Sequence, residues 1–87
     1  MGEFKMTVED VFMIIGRGTV AVGTVESGTL LRGENVLING SRSCLVSAIE
    51  VFRKKSPESV SAGENVGLVL AGVSKEEIRR GDVLTKA

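Results

Sequence analysis

Few residues in this chain have catalytic chemistry to offer. Carboxylates stand side by side at Glu9-Asp10 and again at Glu76-Glu77. Sharing a proton needs both carboxyls on one face, and neighbours along a strand point to opposite faces, so Glu9 and Asp10 are poorly placed for acid–base work. Gly16-Arg17-Gly18-Thr19 hints at a phosphate-cradling loop but is too short and lacks the lysine. Serines are plentiful, yet there is no histidine, so neither a Ser-His-Asp relay nor the usual zinc site can be assembled. The single cysteine, Cys44, has no disulfide partner. Glu50 stands out, because it falls in an apolar alternation with Val46, Ala48 and Phe52, where a carboxylate needs a partner or solvent. The expectation is a binding module and not an enzyme, with no metal and no cofactor.

Composition narrows the binding classes. The 87 residues suit one domain spanning 1–87, and at 43% hydrophobic and 25% charged the chain should fold. Eleven basic and eleven acidic residues cancel. Zero net charge argues against gripping long stretches of phosphate backbone, which needs clustered cations, and leaves a small local RNA contact open. No apolar run reaches the roughly 18 residues that would span a bilayer, and the N-terminus lacks the apolar core of a signal peptide. A cytoplasmic protein that stays off membranes is expected.

The elements that must position these residues read as strands punctuated by eleven glycines. A first strand is expected at Thr7 to Ile15, with Val8, Asp10, Phe12 and Ile14 on one face and Glu9, Val11, Met13 and Ile15 on the other. After the Gly16-Arg17-Gly18 break come Thr19 to Glu26, then a short strand at Asn35 to Ile38. Asn39-Gly40 is the strongest tight-turn signal. Ser43 to about Lys54 reads as a long strand with its even-numbered residues, Cys44 to Phe52, on one face. Residues 55–64 read as a polar loop, and Asn65 to Val73 as a strand buried on both faces. Ser74 and Glu77 form a capping box for one short helical turn, and Asp82 to Lys86 is the last strand. About six antiparallel strands closed into a small all-β barrel follow, since closure removes the exposed edges a small β domain must manage.

Several segments, in order, resemble the second domain of elongation factor Tu and related translational GTPases. They are Val8-Glu9-Asp10-Val11-Phe12, Gly16-Arg17-Gly18-Thr19-Val20, Ile49 to Lys54, Ala62 to Leu68 and Glu76 to Leu84. The resemblance runs from about Phe4 to Lys86. It implies a closed barrel of the translation-factor domain 2 type, without the GTPase domain and third domain that flank it in the family. A free-standing product and a piece of a larger factor both fit.

The resemblance also implies sites. Glu9, Asp10, Phe12 and Asn65 match positions of the pocket for the amino acid and its ester. Glu50 and Arg53 match the clamp on the terminal adenosine of transfer RNA, where Phe52 offers a stacking face. Gly16, Arg17 and Gly18 match the loop that approaches the ribosome. Structural roles stand beside these: a core position for Phe12 or Phe52, a turn before a strand for Asn65, and a turn requirement for Gly16 and Gly18. Val22 replaces an expected threonine, removing a hydroxyl from the pocket, and Thr24 replaces an expected arginine. The implied partner is an aminoacyl-tRNA acceptor end or ribosomal RNA, bound weakly. The alternative is a barrel that keeps the fold but docks on a protein, such as a separate GTPase domain.

Overall fold

Branched and aliphatic residues build the strands, and where each strand bends decides what faces the core. The computed structural model describes residues 3–51 and 59–87. Its strands are β1 (Lys5–Ile14), β2 (Gly18–Ser27), β3 (Thr29–Leu31), β4 (Asn35–Ile38), β5 (Arg42–Glu50), β6 (Ser59–Ser61), β7 (Asn65–Ala71) and β8 (Val83–Lys86). Six of them form the closed antiparallel barrel expected from the sequence, in the order β1-β2-β7-β5-β4-β8 and back to β1. The expected helical turn is a 3-10 turn at Lys75–Glu77. There the Glu77 carboxylate accepts from the Ser74 backbone N–H at 2.8 Å.

Two short strands escaped the sequence reading. Thr29–Leu31 and Ser59–Ser61 pair with each other as a separate two-stranded sheet, so the end of the expected 55–64 loop is strand. Three residues are too few to show a period, and only the partner strand makes them extended. Between these elements Gly28 has φ +73°, and a Cβ there would lie 2.3 Å from the Phe4 backbone nitrogen. Asn39 and Gly40 both have positive φ, 52° and 74°, which a tight turn of the mirror-image type demands. The Asn39 side chain then ties β4 to β8, its oxygen accepting from Val83 N–H at 2.9 Å.

The interior holds Phe4, Met6, Leu30, Ile49, Leu68, Leu70, Ile78 and Leu84, all fully buried. Each contributes roughly 1.5–3 kcal/mol on leaving water, which is how so small a chain offsets its entropy.

Two bulges correct the expected faces. β1 shifts register between Val8 and Asp10, and β5 between Val46 and Ala48. Glu9 and Ser47 are the extra residues, and each reverses the alternation beyond it. Val8 is therefore buried in the core while Asp10, Phe12 and Ile14 lie on the outer face, not on one face with it. Likewise Cys44 and Val46 point inward, but Ile49 takes over the core and Glu50 turns out. The in-line arrangement of Glu50 with Val46 does not survive.

Candidate functional site

Beyond the bulges, residues on four strands line up across the barrel wall. One outer row is Asp10, Val22, Gly67 and Glu50, and the next is Phe12, Val20, Val69 and Ala48. Thr24 and Asn65 face each other one step further along. Because Gly67 has no side chain, the first row dips in the middle. A Cβ there would come 3.0 Å from Val20 Cγ1 and 3.7 Å from both Val22 Cγ2 and Glu50 Cβ.

The dip is the floor of a groove of about 350 Å³ lined by Phe12, Ile14, Val20, Val22, Glu50, Val51, Asn65, Val66 and Gly67. Its walls are aliphatic and aromatic, and its polar groups are the Glu50 carboxylate and the Asn65 amide. Asn65 donates to the Thr24 hydroxyl at 3.1 Å, which orients its side chain. Phe12 is 49% exposed, so the pocket position holds over the core position.

Arg17 reaches from the β1–β2 turn to form an ion pair with Glu50. In the strand register its side chain must cross the Val20–Val69 row to do so. Both valines are only 3% exposed, although they lie outside the main core. Gly16 and Arg17 also border a neighbouring hollow with Ser47, Ala48 and Val69. A carboxylate paired with a half-exposed guanidinium gains little from the pair and remains able to exchange it for a ligand.

The candidates implied by the resemblance thus separate. Phe12, Glu50 and Asn65 meet in one groove, and Arg17 joins them through Glu50. Gly18 begins β2 opposite Ile14. Glu9 is the exposed bulge residue and does not line the groove. Asp10 closes the end of the outer row, but its Oδ1 accepts from the Val11 N–H at 2.9 Å, a local role. It stands three interstrand spacings from Glu50, roughly 14 Å, too far for the two carboxyls to act on one proton. Phe52 and Arg53 lie outside the described residues.

The sequence reading missed Gly67, Val20, Val22 and Ile14 as groove residues. Only Gly67 carried a signal: a glycine inside an apolar strand marks a close approach of another chain or a ligand. The groove can hold a flat or aliphatic body against its walls while Glu50 accepts from a hydroxyl or an ammonium group. No residue lining it pairs a nucleophile with a base.

The family model for elongation factor Tu domain 2 matches residues 18–85, well over half of the chain. Among solved structures, the apo crystal structure of translation elongation factor SelB from Methanococcus maripaludis is similar, with a TM-score of 0.89 and 33% sequence identity. That match covers 99% of this chain and 18% of the SelB chain, so the barrel spans less than a fifth of that factor. With its closed six-stranded barrel and these two matches, the chain belongs to the elongation factor Tu domain 2 family of translation-factor barrels.

Proposed function

We propose that this barrel is a non-catalytic binding module of the translation machinery, and that its outer groove receives the aminoacylated 3′ end of transfer RNA. The observation that carries the reading is the groove floored by Gly67, with Glu50 and Asn65 as its polar groups between apolar walls. A ribose presents hydroxyls that a carboxylate accepts, and a base or an aliphatic side chain packs against Phe12, Val20 and Val22. Glu50 is assigned the ribose and Asn65 the ester or amino-acid end. Arg17 is released from Glu50 toward phosphate on binding. Val22 in place of a threonine makes the amino-acid end more apolar. Affinity is low, since one barrel of zero net charge meets the nucleic acid through few contacts. A role in translation places the protein in the cytoplasm.

The test is an NMR titration of the labelled chain with a short aminoacylated acceptor-stem mimic at low salt. Shifts gathered on Phe12, Glu50, Asn65 and Gly67, and weakened in Glu50→Ala, are expected. Absence of shifts at millimolar mimic would retire the reading.

A further inference from the structure

The β1–β2 hairpin carries a feature that the groove does not use. β8 pairs with β1 only over Lys5–Thr7, and the last bonds on that edge join Val8 to Gly81 and Asp82. Val8 N–H donates to the Asp82 carbonyl at 2.8 Å, and Gly81 N–H donates to the Val8 carbonyl at 2.7 Å. From Glu9 to Ile14 no described residue pairs with the outer edge of β1.

The direction of the backbone groups follows from the turn. The Ile14 carbonyl accepts from Arg17 N–H at 2.9 Å, so Ile14 faces β2. Alternation then turns Phe12 toward β2 and leaves the N–H and C=O of Met13 and Val11 facing outward. The side chains at this edge are apolar and open: Met13 is 53% exposed and Ile15 99%. Edge strands are usually guarded by lysine, proline or inward charge, and residues 11–16 contain none of these.

We propose that this edge pairs antiparallel with the same edge of a second copy of the chain, about a twofold axis at Met13. Three observations favour a second copy over a different protein. The edge is self-complementary, since Met13 against Met13 brings the outward backbone groups of the two strands into bonding position. The same register sets Val11 near Ile15 and Glu9 near Arg17 of the second copy, apolar against apolar and acid against base. Glu9 has no ion-pair partner among the described residues, and the guanidinium of Arg17 has donors enough to serve Glu9 and Glu50 together. Zero net charge adds no general repulsion between copies. The pairing does not depend on the groove binding RNA, because Met13 does not line the groove.

Sedimentation velocity of the full chain tests this across a concentration series, with a dimer expected at a Kd of roughly 10 μM to 1 mM for so small a contact. Met13→Pro removes an outward N–H and spares the β1–β2 ladder, so it should raise Kd about tenfold or more with the circular dichroism spectrum retained. Should that variant unfold, Met13→Lys gives the same reading through charge repulsion at the axis. Glu9→Arg and Arg17→Glu should each weaken the dimer, and the double variant should restore it. A chain that stays monomeric at the highest concentration overturns the proposal and leaves the edge to a strand of another protein. So does a dimer indifferent to Met13→Pro or Met13→Lys, or a double variant that fails to restore pairing.

Discussion

Four pairs of chain neighbours, Asp10-Val11, Ala21-Val22, Gly67-Leu68 and Ile49-Glu50, are each split by the barrel wall. Val11, Ala21, Leu68 and Ile49 form one cross-strand row and pack with the core; Asp10, Val22, Gly67 and Glu50 form the matching row outside. The backbone beneath the two rows is the same, so strand geometry does not distinguish them. The inner row is filled to contact, whereas the outer one is left with a hollow at Gly67 and a carboxylate at one end. One row holds the barrel closed and the other offers a site, and substitutions in the two should fail in different ways.

Leu68→Ala should have the largest effect. Leu68 is fully buried, and the cavity left behind should cost about 2–5 kcal/mol, read as a lower midpoint in urea unfolding. Gly67→Ala, one residue away, should cost less in stability, about 1–3 kcal/mol, because Val20 must give way to the added methyl. It should nonetheless remove most groove binding in the acceptor-stem titration, which Leu68→Ala leaves in whatever fraction still folds. Equal losses of stability from the two variants would erase the distinction between the rows.

Glu50→Gln should change stability by no more than about 1 kcal/mol, since its pair with Arg17 is largely solvated, while weakening the groove ligand severalfold. The unfolding midpoint and the titration curve measured on one sample check this.

The smallest effect concerns acid. The bond from Ser74 N–H, then Arg42, holds the Glu77 carboxyl below its ordinary 4.5, and the bond from Leu31 N–H, then Lys86, does the same for Glu34. A depressed carboxyl favours the folded state once ionised. The contribution is complete above the ordinary value and is lost as pH falls through the folded-state value. Glu77→Gln should therefore flatten the decline in thermal midpoint below about pH 4.5 and leave the neutral plateau nearly parallel. An unchanged acid limb would mean that the capping interaction does not persist in solution.

Much of the barrel was legible from residue order. The Asn35–Ile38 strand, the Asn39-Gly40 turn, the buried run after Asn65 and the Ser74–Glu77 turn each depend on a few adjacent residues whose φ preferences or alternation suffice. The domain 2 wording spread along the chain pointed to the family that the matches bear out. The site was legible only in part. Phe12, Glu50 and Asn65 were singled out from that wording, but their meeting in one groove depends on the bulges at Glu9 and Ser47. Neither residue is unusual for a strand, and a bulge leaves no local mark, because it is the partner strand that counts one residue fewer. The β3–β6 pair and the reach of Arg17 to Glu50, 33 residues away, were hidden for the same reason. Local sequence sets where a strand begins, ends and turns, whereas register between distant strands decides which of two neighbouring side chains enters the core and which is left to bind.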